Sequence, residues 1–181
     1  LSDSVHLSAG NWQELLDLKF FMIEGVPSRD VLSVENLWKG NYYLSTIDST
    51  LSDMTVQLNP AAEMYKLKTR ASGHHWDNAT NCAEFCYKIH GVDVDNTLIK
   101  SWQIMQACGM NPLYPQGGTW PIDRAGWCPG MEVTTQNIEL TPYVTPGGLM
   151  DIDYDSDTDP FGYYILRTHL ISYTDPNFDL D

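Results

Sequence analysis

The sequence is poor in basic residues and has no long apolar run. It contains 10 Lys and Arg against 24 Asp and Glu, which gives a formal net charge of −14 at pH 7. Nucleic-acid binding depends on Lys and Arg that neutralise phosphates, so this balance argues against that function, and an anionic membrane surface would repel the chain. No apolar stretch approaches the roughly 20 residues that cross a bilayer. We therefore expect neither a nucleic-acid partner nor a membrane partner.

Several motifs that carry catalysis or cofactor binding are also missing. The chain has no Cys-x-x-Cys and no zinc spacing of two Cys and two His. It has no His-x-His pair and no recognisable Ser-His-Asp or Cys-His signature, and Gly117-Gly118 is too sparse for a phosphate-binding loop. His74, His75 and His90 could ligate copper or zinc. Adjacent residues of a strand point to opposite faces, however, so we predict no metal and no cofactor.

An alternating run of aspartates, Asp151 to Asp159, is the other candidate for a metal site. Five carboxylates at every second position would lie along one edge of an extended segment, which suits calcium. Ser156 stands where the calcium loop of an EF-hand requires glycine. We therefore predict a hydrated acidic loop that ends at Pro160.

The composition nevertheless supports a folded domain. The chain has 181 residues, of which 43% are hydrophobic, so it is long enough for one domain with a core. Six Trp and ten Tyr suit pleated sheets, and their rings also suit stacking on sugars. The four Cys allow two disulfides, or a metal or redox site. An even count in an acidic chain favours an oxidising compartment, so we predict a secreted, periplasmic or extracellular protein.

The apolar pattern predicts an all-β fold. Residues 65–71 alternate strictly, with Lys66, Lys68 and Arg70 on one face, which we interpret as a solvated face of a sheet. Residues 1–16 are predicted to be a linker or N-terminal arm, and 17–181 a jelly roll or antiparallel β-sandwich with short helical turns. Residues 98–107 are the one predicted helix. The other predicted strands are 18–24, 42–47, 54–58, 86–92, 133–144 and 163–173.

The pair Cys82 and Cys86 has a geometric consequence for Glu84. A disulfide needs Cα atoms about 4.4–6.8 Å apart, whereas four residues of a strand span roughly 13 Å. If the two sulfurs are joined, the backbone folds into a tight loop with Glu84 at its apex. A rigidly presented carboxylate suits acid–base or substrate-orienting work. The alternative is that the bond only staples a turn and Glu84 faces solvent.

The segment between Cys108 and Cys128 holds the second candidate, Arg124. Arg can bind a carboxylate with two parallel hydrogen bonds, and Asp123 or Glu84 are possible partners. Trp120 and Trp127 flank it and offer flat apolar faces that could stack on sugar rings. The alternatives are that these tryptophans belong to the core and that Arg124 forms a purely structural ion pair.

These segments resemble the C-terminal half of the peptide-N-glycosidase F family. Three runs carry the resemblance: Ser72-Gly73-His74, Asn81-Cys82-Ala83-Glu84-Phe85-Cys86, and Trp120 to Gly130, which contains Asp-Arg-Ala-Gly-Trp-Cys-Pro-Gly. The similarity is dense from about residue 69 to 133 and weaker on either side. Members of the family cleave the amide that joins an N-linked glycan to Asn, leaving Asp.

The resemblance implies a fold, two disulfides and a set of site residues. It implies two eight-stranded jelly rolls side by side with the cleft between them, and the disulfides Cys82–Cys86 and Cys108–Cys128. By position, Glu84 is implied to be the active-site carboxylate of the C-terminal domain and Arg124 the essential arginine. Phe85 lies where the best-known member has Trp. The residues predicted to contact substrate are His74, Trp76, Phe85, Trp120 and Trp127.

The sequence departs from the family pattern because the N-terminal jelly roll, which carries the principal catalytic aspartate, has no counterpart upstream of residue 17. We therefore predict a hydrolase that acts on the N-glycan of glycoproteins or glycopeptides, with this chain as the C-terminal part of the site and the N-terminal jelly roll as its partner. Two alternatives remain. One is a carbohydrate-binding module without turnover, and the other is a copper-dependent monooxygenase-like domain.

Overall fold

The protein is a two-sheet β-sandwich. The computed structural model describes residues 19–77, 82–113 and 116–177, so the predicted arm at 1–16 lies outside the described residues. Short helical turns at Leu44–Thr46, Ile47–Thr50, Cys108–Met110 and Thr141–Tyr143 connect the strands. The eight strands are β1 (Arg29–Tyr43), β2 (Met54–Gln57), β3 (Met64–His74), β4 (Ile89–Val94), β5 (Thr97–Gln103), β6 (Thr135–Glu139), β7 (Leu149–Ser156) and β8 (Tyr163–Pro176).

The strand order is that of a jelly roll. One sheet has the order β1-β8-β3-β6 and the other β2-β7-β4-β5, and every pair is antiparallel. Each sheet turns alternate side chains inward, as the period of two requires. The all-β prediction is therefore confirmed. The core between the sheets includes Leu67, Ile152, Tyr154, Leu166 and Leu170.

The predicted helix at 98–107 is wrong. Residues 98–103 belong to β5, which pairs with β4 through a hairpin at Asp95 and Asn96, and residues 104–107 are not helical. Both turn residues have positive φ, 47° and 61°, which matches the two-residue turns that suit the twist of a hairpin. Leu98 and Trp102 are four residues apart, which is a helical spacing. They nevertheless lie on β5, and its partner strand β4 ends directly before the turn.

The predicted acidic loop at 151–159 is also wrong over most of its length. Asp151, Asp153 and Asp155 lie on β7, because the alternating residues Met150, Ile152 and Tyr154 are buried in the core. The aspartates line an open depression of about 470 Å³ on the outer face of their sheet, together with Asp53 and Asp93. Within the described parts of the chain, no group of three or more His, Cys, Asp or Glu could hold a metal ion.

Several strand limits differ from the prediction. Residues 19–28 form no strand, and the first strand is β1, whose irregular alternation with three register shifts hides it in the sequence. Residues 44–47 and 141–143 are helical turns rather than strand, and the predicted strand 86–92 lies at 89–94. None of the helices in the described ranges is long and apolar enough to cross a membrane.

Candidate functional site

The candidate site lies where the end of β3 meets two disulfide-bonded segments. Both disulfides implied by the resemblance are present, with Cα–Cα distances of 5.7 Å for Cys82–Cys86 and 5.4 Å for Cys108–Cys128. Backbone hydrogen bonds join the three segments. The amide of Gly73 donates to the carbonyl of Ala125 (2.9 Å), and the amide of Ala125 donates to the carbonyl of Glu84 (2.8 Å).

Two glycines allow this close packing. A Cβ at Gly73 would overlap the backbone of Ala83, so the Cys82–Cys86 loop can lie directly against β3 only with glycine at this position. Gly126 has φ of 76°, and a Cβ there would overlap the carbonyl oxygen of Ala71. Glycine at both positions therefore brings Glu84 and Arg124 to the same end of β3.

Glu84 and Arg124 form an ion pair. The guanidinium Nε of Arg124 donates to Oε1 of Glu84 at 3.1 Å, and the two side chains are 5% and 20% exposed, respectively. Glu84 therefore faces Arg124 rather than open solvent, although part of its side chain remains accessible. The Cys82–Cys86 loop is also tied to the residue after β3, because the amide of Glu84 donates to the carbonyl of His75 at 3.2 Å.

All three nitrogens of the Arg124 guanidinium donate hydrogen bonds. Its Nη2 donates to Oγ1 of Thr119 (2.8 Å), and its Nη1 donates to the carbonyls of Ile122 (3.0 Å) and Trp120 (3.5 Å). A charged group that is buried to this degree needs such partners. Asp123, the other predicted partner, instead accepts from the backbone amide of Cys108 (3.1 Å) and so fixes the start of a helical turn.

Aromatic rings extend the site on both sides of Arg124. Its guanidinium lies over the rings of Phe85 (4.9 Å) and Trp127 (5.2 Å), a cation–π arrangement that orients the charge. The ring of His74 stacks between those of Trp127 and Tyr163, each with a centroid separation of 5.3 Å. One continuous column thus runs from Tyr163 to Phe85 through the buried arginine.

The predicted substrate-contact residues differ in how open they are. Trp76 is 53% exposed and meets Phe85 edge-on at 6.5 Å, so its indole faces are available to a ligand. Trp127 is half-buried, and its indole N–H donates to the carbonyl of Gly73 (2.8 Å). Trp120 is half-buried. Some tryptophans of the site are therefore packed into the domain, whereas Trp76 is open to solvent.

The imidazole of His74 is shifted toward its neutral form. Partial burial lowers its pKa, the carboxylate of Glu84 opposes that change, and His75 adds to it. Nε2 of His74 lies 2.9 Å from the hydroxyl of Ser72, which fixes the ring between its two aromatic neighbours. His74 is thus placed as a packing and orienting residue beside the carboxylate.

Sequence reasoning missed two members of the site, Thr119 and Tyr163. Tyr163 is the first residue of β8 and pairs with His74 in the register of β3, so its place depends on sheet topology. Thr119 precedes Trp120 in a loop, and no spacing in the sequence marks it. His75 and Phe161 also belong to this end of the sandwich, with ring centroids 6.0 Å apart.

Comparison with known proteins identifies the family. Residues 41–168 match the model of the family described as peptide-N-glycosidase F, C terminal. The chain belongs to this family. It is 37% identical over 132 residues to the peptide-N(4)-(N-acetyl-beta-D-glucosaminyl)asparagine amidase F of Elizabethkingia miricola, which covers 65% of this chain and 36% of the amidase.

Solved structures agree with this assignment to the peptide-N-glycosidase F family. A crystal structure of peptide-N(4)-(N-acetyl-beta-D-glucosaminyl)asparagine amidase aligns with a TM-score of 0.69 and 25% identity over 78% of this chain and 52% of that chain. PNGase F, a glycosylasparaginase from Flavobacterium meningosepticum, aligns with a TM-score of 0.67 and 27% identity over 78% of this chain and 51% of its own. The chain spans about half or less of the length of the relatives it matches.

Proposed function

We propose that this domain supplies one side of an active site that hydrolyses the amide between Asn and the innermost GlcNAc of N-linked glycans. One observation carries the proposal. Glu84, presented by a disulfide-closed loop, forms an ion pair with Arg124, whose two terminal nitrogens also donate hydrogen bonds within the domain. The family supports the same reaction, since the relatives that this chain resembles are named as asparagine amidases.

The geometry suits the chemistry of this hydrolysis. An amide carbonyl is unreactive, so catalysis needs a positioned water and stabilisation of the charge that develops in the tetrahedral state. The accessible part of the Glu84 carboxylate can orient the water. Arg124 holds that carboxylate in place, because its Nε donates to Oε1 of Glu84. The rings of Phe85 and Trp127 hold the guanidinium in place and shield it from solvent.

In this proposal, the exposed aromatic ring of Trp76 binds the sugar. Trp76 is an exposed ring in contact with Phe85, and a flat indole suits the apolar face of a sugar ring. Trp127 and His74 stack on each other beside Arg124, and with Trp120 they are the further residues that we assign to sugar contact. The exposure of Trp76 also favours the second candidate function, a carbohydrate-binding module without turnover.

The proposed partner is an N-terminal jelly roll that provides the other side of the cleft. Four large apolar residues that follow one another in sequence, Phe20 to Ile23, are 68% to 92% exposed in the segment that precedes β1. A contiguous apolar patch of this kind is typical of a surface that another body covers. The two disulfides support our proposal that the domain works outside the reducing cytosol.

Binding of a small glycopeptide tests the site directly. We expect Trp76→Ala to weaken binding of a peptide that carries GlcNAc-GlcNAc on Asn by about tenfold, since one stacked ring contributes about 1 kcal/mol or more. Calorimetric titration of this chain measures the effect. Tyr143→Ala is the matched control, because Tyr143 is an exposed aromatic residue in the helical turn packed against the opposite end of β3. Equal loss of affinity in both variants would contradict the placement of the site.

Glu84→Gln distinguishes catalysis from binding alone. Gln is close to Glu in size and keeps an oxygen that can accept from Arg124, so we expect folding to change little. Loss of the carboxylate is expected to slow glycopeptide hydrolysis by about 100-fold or more, the usual contribution of a positioned acid–base group. If Glu84→Gln leaves hydrolysis unchanged, Glu84 has no catalytic role. If the glycopeptide binds without turnover in every preparation, the binding-module candidate is preferred.

A further inference from the structure

The outer face of the sheet β1-β8-β3-β6 concentrates positive charge in an acidic protein. Five of the ten Lys and Arg of the chain lie on this face. Inward-facing neighbours such as Leu67, Thr69 and Thr168 are buried, which leaves the alternating cations on the outside. The five are Lys39, Lys66, Lys68, Arg70 and Arg167.

Three of these cations form a row across neighbouring strands. Lys39 of β1 pairs with Arg167 of β8, and Arg167 pairs with Arg70 of β3. Strands are about 4.8 Å apart, so the row places three like charges side by side. Like charges directly opposite each other destabilise a sheet. The next row beside it holds His169 of β8 opposite Lys68 of β3.

No acidic side chain neutralises the row. In residues 19–77, 82–113 and 116–177, none of the three cations forms an ion pair. Arg167 donates to the backbone carbonyls of Gly40 and Leu166, which leaves its charge uncompensated. The fourth position of the row, opposite Arg70 on β6, is the neutral Thr135. A sequence that sets a repulsive row without compensation breaks a local rule, and such departures are expected where a ligand supplies the missing charge.

The row lies on the same face of β3 as His74 of the candidate site. Arg70 and His74 lie on the same side of β3, four residues and about 13 Å apart, with Ser72 between them. A molecule longer than about 13 Å could therefore contact both the row and the end of β3 at which the candidate site lies. The screening length is about 8 Å at physiological salt, so a small anionic group at the row is attracted mainly by these three cations. A long polyanion would also be repelled by the acidic residues elsewhere on the protein.

We propose that the row of Lys39, Arg167 and Arg70 binds the carboxylate or sulfate of an acidic carbohydrate, carried on the outer sugars of the glycan whose linkage sits at Glu84. This inference rests on the proposed function, because it takes the glycan as the molecule that spans both places. It deepens that function by naming a substrate class, which is N-glycans with acidic outer sugars.

A pair of glycopeptides tests the inference. The two share peptide and core sugars, but their outer sugars end in a neutral or a carboxylated residue. We expect the acidic glycopeptide to bind this chain about fivefold more tightly at low salt, an advantage that salt removes. Arg70→Gln is expected to abolish the advantage without changing the affinity for the neutral glycopeptide. Lys100→Gln, which removes an exposed cation of the other sheet, is the matched control and is expected to preserve it.

A second measurement uses His169 as a reporter of the row. Partial burial lowers the pKa of His169, and the charges of Arg70, Lys39 and Arg167 lower it further. A carboxylated or sulfated oligosaccharide without the Asn linkage is expected to shift the ring resonances of His169 and raise its pKa. No shift, together with equal affinity for the two glycopeptides, overturns the inference. The proposed function stands in that case if the neutral glycopeptide still depends on Trp76.

Two other occupants of the face would also overturn the inference. Self-association at low salt that Arg70→Gln abolishes would assign the row to the acidic face of a second copy. Loss of acidic-sugar binding when an N-terminal jelly roll is added would assign it to that partner. Sedimentation velocity with and without the added domain distinguishes these outcomes.

Discussion

Acidification from pH 7 to pH 4 is expected to lower the free energy of unfolding through His90. The imidazole is 1% exposed, and burial lowers its pKa from 6.5 to about 3. Its Nδ1 lies 2.8 Å from the hydroxyl of Tyr154, and its ring packs against those of Trp102 and Tyr164. Between these two pKa values His90 is protonated in the unfolded chain but neutral in the folded chain, so the free energy of unfolding decreases as pH falls. The loss reaches about 3 kcal/mol at pH 4.

The direction of this pH effect distinguishes His90 from the aspartates on the outer face of the sheet β2-β7-β4-β5. Burial and the charges of Asp155 and Asp53 raise the pKa of Asp153 to about 6. The folded state therefore takes up that proton first, and stability from this group increases as pH falls through 6. Denaturant unfolding of Asp153→Asn should then show a steeper loss toward pH 4 than the parent chain.

His90→Phe is the variant that isolates the effect. It fills a similar space without a titrating group, so its stability is expected to be flatter between pH 6.5 and pH 4. His169→Phe is the control, because that histidine is only half-buried and lies on the outer face. An NMR titration in which the ring of His90 takes up its proton near pH 6.5 would contradict this prediction.

Replacement of Arg124 by Met is expected to have the second large effect, on both stability and function. The substitution leaves the carboxylate of Glu84, the hydroxyl of Thr119 and the carbonyl of Ile122 without their partner. Removing one member of a buried pair typically costs about 3 kcal/mol. Glycopeptide hydrolysis is expected to fall by about 100-fold or more, as for loss of a preorganised charge.

Lys88→Met is the matched control for Arg124→Met. Lys88 and Asp159 form the other ion pair of the described domain that is largely buried, with Nζ and Oδ2 at 2.6 Å. Its loss should lower stability by a similar amount but leave glycopeptide binding unchanged. Measurements well below the melting temperature of both variants separate function from folding. An equal decrease of binding in the two variants would mean that Arg124 acts through stability alone.

The fold class could be predicted from the sequence because the clearest signals were those of β-structure. The alternation at 65–71 and at 163–173 corresponds to β3 and β8, the two central strands of one sheet. The strand β7 was hidden by its charge, since three of its outward residues are aspartates. The strand β5 was hidden because Leu98 and Trp102 stand at helical spacing, and only the Asp95-Asn96 turn identifies it as half of a hairpin.

The candidate site was predictable where local chain geometry decided it. A disulfide between Cys82 and Cys86, which the family resemblance implies, requires a tight loop at this spacing, and that loop presents Glu84 in the structure. The partner of Arg124 could not be derived from spacing, because Asp123 is adjacent in sequence but Glu84 is adjacent in space. Tyr163 and Thr119 reach the site through sheet register and a loop, neither of which leaves a pattern in the sequence.

The most direct test of the proposed function is the rate at which a glycopeptide is converted to glycan and Asp-containing peptide, read by mass spectrometry. The chain is assayed alone and with an N-terminal jelly roll added, each as the parent and as Glu84→Gln. We expect the parent to release glycan only with the added domain, and Glu84→Gln to reduce that rate by about 100-fold or more. Equal rates for the parent and Glu84→Gln would contradict the assignment of the site to Glu84.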